Sequence, residues 1–291
     1  MKISGFTIVR NAVKYDYPVI ESINSILPIV DEFIVSVGKS DDGTLQLIQS
    51  IQSPKIKIIE SIWDDSLREG GKILAVETDK AFAQISADSD WAFYIQADEV
   101  LHEKDLPNIV KAAQENLNNK KVQGLIFKYH HFYGTYDYIG DSRRWYPFEI
   151  RIIRNDKRIY SYRDAQGFRI GKDIKLKVKY AHADMFHYGW VRHPQKQLEK
   201  LNHFTGFWGG GNFKEKETLQ NEFFDFMKDV DSVEKFKGTH PAVMQKRITE
   251  KNWNIDLDTS LKKFSFKDKI LYNAEKLTGI RLFRFRNYTK V

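Results

Sequence analysis

The chain has 291 residues, no cysteine, and 46 Lys and Arg against 39 Asp and Glu, a formal charge of +7. That length supports one large core or two modest ones; the missing cysteines exclude disulfides and thiolate metal sites and give no sign of an oxidising compartment. The excess charge suits anionic partners such as nucleotides, phospholipid headgroups or nucleic acid, or serves solubility alone.

The opening MKISGFTIVRNAVKYDYP lacks the apolar run and cleavage site of a signal peptide. No later stretch has the roughly 18 apolar residues that a membrane span requires, so a cytoplasmic location is expected. Ile3 to Val9 is a β-rich run that ends in the polar turn Arg10–Asn11, and Pro18 opens a segment with Val19, Ile20, Ile23, Ile26 and Leu27 on one helical face. Phe33 to Val37 is a second strand, followed by the turn GKSDDGT, where Asp42 is placed to cap a helix carrying Leu45, Ile48 and Ile51. A third strand, Ile56 to Ile59, precedes helical spacing over Gly71 to Ile85, and Trp91 to Ile95 is the fourth. Strands that are apolar on both faces and alternate with helices predict a parallel sheet wrapped by helices. Ligands of such sheets bind beyond the carboxyl ends of the strands, where Arg10, Asn11, GKSDDGT, Trp63 to Lys72, Asp98 and Glu99 all fall.

Beyond about residue 120 the pattern turns aromatic and β-like. FEIRIIRNDKRIYSYR reads as a hairpin turning near Asn155 and Asp156, LKVKYAHADMFHYGW as another strand, and helical spacing returns in QKQLEKLNHF and ETLQNEFFDFMKDV.

The fourth strand, WAFYI, ends abruptly in the acids Asp98 and Glu99. Adjacent acids there either form a surface turn or helix cap, or hold a divalent cation against the phosphates of a nucleotide, since Mg²⁺ and Mn²⁺ prefer oxygen ligands. The succession FTIVRNA, EFIVSVGKSDDGT and WAFYIQADEVLH resembles the family 2 glycosyltransferases, whose GT-A fold is a nucleotide-binding α/β mixed sheet flanked by helices. The resemblance covers the first 100 residues or so and extends more weakly to about residue 205. It implies a GT-A domain over residues 1–205, with a nucleotide-sugar half (1–120) and an acceptor half (121–205), and leaves 206–291 as a mainly α-helical C-terminal extension.

The same resemblance implies that Thr7, Val9, Arg10 and Asn11 lie near base and ribose, and that Asp42 caps the helix of the second turn. QADE stands where the family writes its DxD motif, so Asp98 would be the metal and diphosphate ligand, with Gln96, Ala97 and Glu99 beside it. Gly71 and Lys72 would approach the nucleotide from the third loop. Two departures stand out: Gln96 replaces the first acid of the motif and supplies no charge, and VGKS replaces an acid that often reads uracil, which would place Lys39 on phosphate. The HYGW stretch resembles one that returns a histidine to the metal, making His187 a second ligand for Mn²⁺ or Mg²⁺; its other reading is a packed core histidine. The donor would be a nucleotide-diphosphate sugar, and the acceptor a glycan, lipid-linked or other hydroxyl.

Inverting sugar transfer needs a base on the acceptor hydroxyl and positive charge on the leaving diphosphate. Asp164 in YRDAQGFR is the first candidate base, with a hairpin-turn role as its alternative, and Asp141 and Glu149 are reserves. Arg143, Arg144 and Arg151 cluster around Trp145 and Tyr146, where Arg144 and Arg151 would grip a diphosphate bidentately or form a basic surface. GFWGGGNF reads as a lid or a plain connection. The basic, apolar C-terminal stretch either packs as a helix on the domain or contacts a membrane surface peripherally. Two other functions compete: a nucleotidyltransferase, although FTIVRNAVKYDYP has no glycine-rich phosphate loop, and a basic α/β module binding nucleic acid, although no recognised motif for that is present.

Overall fold

A computed structural model of the chain describes residues 1–67, 70–205 and 222–291. The first four strands, β1 (Ile3–Val9), β2 (Glu32–Gly38), β3 (Ile56–Ser61) and β4 (Trp91–Tyr94), pair in parallel in the order β4–β1–β2–β3. Between them run α1 (Val19–Ile26), α2 (Thr44–Gln49) and α3 (Lys72–Ala83). Every residue of β1, β2 and β4 is buried, which their continuous apolar runs required. Alternate side chains divide between two cores. Val9, Phe33, Val35 and Phe93 pack with Ile23 and Ile26 of α1, whereas Phe6, Ile8, Ile34 and Tyr94 pack with Ile73 and Phe82 of α3. Gly5 makes this close stacking possible, because a Cβ there would stand 2.5 Å from the Phe33 ring.

After β4 the sheet becomes mixed. β5 (Glu99–Leu101) is short and is followed by α4 (Leu106–Glu115). Next come β6 (Gly124–Gly134), β7 (Tyr138–Gly140) and β8 (Phe148–Arg154). β8 lies between β4 and β6, antiparallel to both. The expected hairpin around Asn155 and Asp156 is therefore absent. Ile150, Ile152 and Ile153 are buried on both faces of β8, which suits an interior strand with two partners. β9 (Ile159–Tyr162) leaves to form a separate sheet with β10 (Gly167–Ile170) and β11 (Ile174–Lys175).

The long β12 (Lys177–Val191) pairs parallel with β6 and antiparallel with β5, and it carries the HYGW stretch back to the end of β4. α5 (Pro194–Thr205) follows directly. Within 222–291 the described helices are Phe226–Asp229, Gln245–Thr249 and α6 (Phe266–Thr278), while β13 (Val233–Lys235) and β14 (Thr289–Lys290) join the main sheet. The α/β mixed sheet flanked by helices expected from the sequence is thus present. The glycine-rich stretch 206–213 lies outside the described residues. Among the described residues no helix is long and apolar enough to cross a membrane.

Candidate functional site

β4 ends in a turn in which Gln96 accepts a hydrogen bond from the Glu99 amide (3.0 Å) and donates its own amide to the Glu99 carboxylate (3.0 Å). Ser22 of α1 donates to the Gln96 carbonyl (2.8 Å), and Tyr188 of β12 donates its amide to the Asp98 carbonyl (2.8 Å). Held on both sides, the two acids take opposite directions. Glu99 is buried and accepts from Arg151 Nε and Nη2, each at 2.7 Å, and from the Tyr129 hydroxyl at 2.7 Å. Both side chains of the Glu99–Arg151 pair are fully buried. Asp98 instead faces a cleft.

The antiparallel pairing of β5 with β12 sets His187 opposite Glu99 and brings its ring to Asp98, with Nε2 3.7 Å from Oδ1. The protons of this region follow from its hydrogen bonds. His131 Nε2 lies 2.7 Å from the Tyr146 carbonyl oxygen, which only accepts, so Nε2 carries the proton. Burial keeps the His131 imidazole well below its ordinary pKa, hence neutral, and its Nδ1 is a bare acceptor. His187 Nδ1 stands 3.0 Å away and must be the donor. Burial also lowers the pKa of His187, against the pull of Asp98, so the neutral ring turns a bare Nε2 toward the carboxylate. A lone pair and an anion thus face each other across a gap too long for a hydrogen bond.

That arrangement fits a cation. Gly189 leaves room for it: a Cβ there would come within 2.6 Å of His187 Nε2 and 2.9 Å of Asp98 Oδ2. Oriented imidazole and carboxylate are suitable ligands for Mn²⁺ or Mg²⁺, and the His131–Tyr146 chain is the kind of outer partner that fixes a ligating histidine. Among the described residues no group of three or more His, Cys, Asp or Glu gathers to hold a metal. A cation held by Asp98 and His187 would therefore take its other ligands from substrate and water, as Mg²⁺ commonly does.

Lys200 of α5 places Nζ 3.5 Å from Asp98 Oδ2 and 3.0 Å from the Gly189 carbonyl. Burial and the neighbouring Arg192 push its ammonium down to about 7, with Asp98 pulling the other way. Burial alone would raise the Asp98 carboxyl, but the charges of His187, Lys200 and Arg192 outweigh it and hold Asp98 below its ordinary range.

The cleft opens to solvent at its mouth. Val9, Arg10, Gln96, Ala97 and Asp98 line it, together with Tyr15, Tyr17, Trp63, Lys200 and His203. Arg10 donates to Asp65 (Nη1–Oδ1 2.7 Å), and its guanidinium lies 5.6 Å from the centre of the Trp63 ring. Among the described residues, Arg10 Nε and Trp63 Nε1 are buried donors without an acceptor. Trp63 Nε1 is turned toward Gly38, where a Cβ would stand 2.4 Å from it, so the indole lines the cleft with its N–H directed into the protein.

The other expected site residues lie elsewhere. Thr7 is fully buried in the sheet, and Asn11 is tucked into the first turn, its amide donating to Ser40. Asp42 accepts from the amides of Thr44 and Lys14, so it ties the first two loops together beside the α2 N-terminus. Lys39 and Lys72 are exposed, and Gly71 holds φ +72 as the N-cap of α3. None of these lines the cleft. Arg151 cannot grip a diphosphate: its guanidinium is spent on Glu99 and on the carbonyls of Ile150 and Gln166. Arg144 pairs with Asp229 at 3.1 Å and lies over Trp145 and Trp190.

Arg144 belongs to a second cleft, which also contains Asp164, Glu149 and, from the C-terminal stretch, Arg281, Phe283, Arg284, Phe285 and Asn287. The 163–165 turn separates the two clefts, with Ala165 lining the first and Asp164 the second. Arg163 (φ +56) and Ala165 (φ +61) are held left-handed on either side of Asp164, and burial raises the Asp164 carboxyl. Such unfavourable backbone recurs at functional sites. The reserve acid Asp141 is engaged by Ser232, Lys262 and Tyr272.

Glu149 is buried, and burial pushes its carboxyl up to about 7, offset only in part by Arg151 and the Asn287 amide. Between its ordinary 4.5 and about 7 the folded state holds a proton that the unfolded chain has released, so this group costs stability as pH rises through that window. Glu149→Gln is therefore expected to raise the unfolding temperature by a few degrees at pH 8 and to change little at pH 4.5. Equal shifts at both pH values would contradict the buried-carboxyl reading.

No family model matches the sequence, and no curated protein matches it. Among solved structures, the chain is similar to S. aureus TarS, with a TM-score of 0.38 and 13% identity over 75% of this chain and 41% of that one. It is also similar to S. aureus TarS 1–349 in complex with UDP-GlcNAc (TM-score 0.39, 13% identity, 75% of this chain and 69% of that one). A third is glucosyl-3-phosphoglycerate synthase from Mycobacterium tuberculosis in complex with Mn²⁺, UDP-glucose and phosphoglyceric acid (TM-score 0.30, 21% identity, 45% and 44%). The chain spans under half the length of the first of these. Scores and identities this low assign the chain neither a family nor an activity.

Proposed function

We propose that the first cleft binds a nucleotide-diphosphate sugar and that the protein transfers the sugar to an acceptor hydroxyl, as a GT-A enzyme of the family 2 type. The observation that carries this reading is the bare His187 Nε2 facing Asp98 Oδ1 across 3.7 Å, at the carboxyl end of a buried parallel strand. A divalent cation held there by Asp98 and His187 would supply positive charge for a departing diphosphate.

The remaining work falls to side chains of this chain. Lys200 supports the Asp98 carboxylate and adds positive charge at the same end of the cleft. Trp63, which lines the cleft, offers a face on which a base can stack. Asp164, with its raised carboxyl at the boundary of the second cleft, is the base that takes the proton of the acceptor hydroxyl, and inversion follows from attack opposite the leaving group. In this scheme residues 1–205 form the transferase domain.

Thermal unfolding with UDP, GDP, CDP and TDP, each with and without Mn²⁺, tests the proposal. A ligand at about 100 times its dissociation constant adds roughly 2.7 kcal/mol, a rise of several degrees. The expected result is a Mn²⁺-dependent rise with one base. No rise with any of the four would reject the donor site.

A further inference from the structure

The C-terminal stretch carries an apolar surface that none of the described residues covers. In α6, Phe266, Ile270 and Leu277 stand four and eleven residues apart and fall on one helical face. Phe266 is 81% and Leu277 87% exposed, and no residue of α6 is buried. The surface continues past the helix through Ile280, Leu282, Phe283 and Phe285, all exposed. Phe283 is 89% exposed and sits at φ +53, a conformation that is costly for a bulky side chain. Single exposed apolar residues are ordinary, but seven within twenty positions form a patch of the kind that marks an interaction site.

Its charge identifies the partner. Residues 266–291 hold seven Lys or Arg against two acids, and Arg281, Arg284 and Arg286 alternate with the apolar positions. Lys175 of β11 adds its ammonium 4.8 Å over the Phe285 ring. A second copy of this segment would bring like charges face to face. Apolar and aromatic groups set among cations complement a surface that is anionic outside and apolar beneath. We propose that residues 266–286 seat the protein on an anionic lipid bilayer, with the second cleft, lined by Arg281, Phe283, Arg284 and Phe285, opening toward the headgroups. It would receive a membrane-borne acceptor there; that last step rests on the transferase reading, whereas bilayer binding does not.

Sedimentation of the full chain with phosphatidylcholine vesicles, with and without phosphatidylglycerol, tests this. The protein should pellet with the anionic vesicles at low salt and be released at high salt. Phe266→Glu with Leu277→Glu should weaken partitioning at least tenfold, and Lys267→Gln with Arg286→Gln should weaken it by roughly fivefold for each cation removed. These positions lie outside both clefts, so the nucleotide-dependent thermal shift should persist in every variant, which separates failure of this surface from failure of the donor site. The proposal is overturned by no pelleting, by equal pelleting with neutral vesicles, by variants that pellet like the parent, or by light scattering that shows a dimer dispersed by the Phe266 and Leu277 changes.

Discussion

Glu99→Ala is expected to lower the stability of the fold by about 3–5 kcal/mol, because it leaves the Arg151 guanidinium buried without its anion. Glu99 satisfies Arg151 through two 2.7 Å bonds and also accepts the Tyr129 hydroxyl and the Gln96 amide. The same substitution removes the clamp on the Gln96–Glu99 turn, so the loss falls on the element that aims Asp98. Urea unfolding of both proteins reads the effect directly. Glu99→Leu combined with Arg151→Met should recover much of the loss, since an apolar pair of similar volume avoids burying charge. A single-variant loss below about 1 kcal/mol would mean that the pair is better solvated than its complete burial indicates.

Asp98→Asn is expected to do the opposite: little change in stability without ligand, and loss of the cation-dependent response to nucleotide. The amide keeps the shape of the side chain but removes the charge that a cation and Lys200 both require. Outer-shell changes at metal sites commonly cost 10- to 100-fold in affinity, so loss of a ligand should cost roughly 100-fold or more. Calorimetric titration of Mn²⁺ into the parent and the variant, each with nucleoside diphosphate present, measures this. Equal affinities would remove Asp98 from the cation site.

The two variants show how unevenly the site was written in the sequence. The strand WAFYI followed by two acids was legible, because continuous burial has a plain apolar signature and the carboxyl end of a parallel strand is where ligands bind. What local pattern could not give was the division of labour between Asp98 and Glu99. That depends on β8 entering between β4 and β6, which brings Arg151 beneath the turn. A hairpin reading of residues 148–163 hides this, since the strand alternation of FEIRIIR is the same whichever neighbour it pairs with. His187 was visible in HYGW, but its tautomer is fixed by His131, fifty-six positions earlier, through the parallel pairing of β6 and β12. The adjacent pair His130–His131 was the available signal. Lys200 and His203 reach the cleft only because α5 follows β12 directly, and nothing in QKQLEKLNHF marks them.

Arg144, Arg151 and Asp164 lie within a stretch of twenty-one residues, yet they are sent to an ion pair at the cleft edge, a buried anchor and a turn between clefts. Basic and acidic residues in a β-rich stretch do not declare their faces until the order of strands is known. The exposed apolar C-terminus is the converse case. Its composition was plain from the sequence, and the structure adds that α6 holds to the domain through Tyr272 and Glu275 while Phe266, Ile270 and Leu277 stay exposed.

Pulsed electron paramagnetic resonance of Mn²⁺ bound with nucleoside diphosphate tests the central claim most directly, because it reports which nuclei touch the ion. The account predicts a nitrogen coupling from one histidine, absent in His187→Ala, together with a phosphorus coupling from the diphosphate. Mn²⁺ that shows water protons alone, with neither nitrogen nor phosphorus coupling, would contradict it.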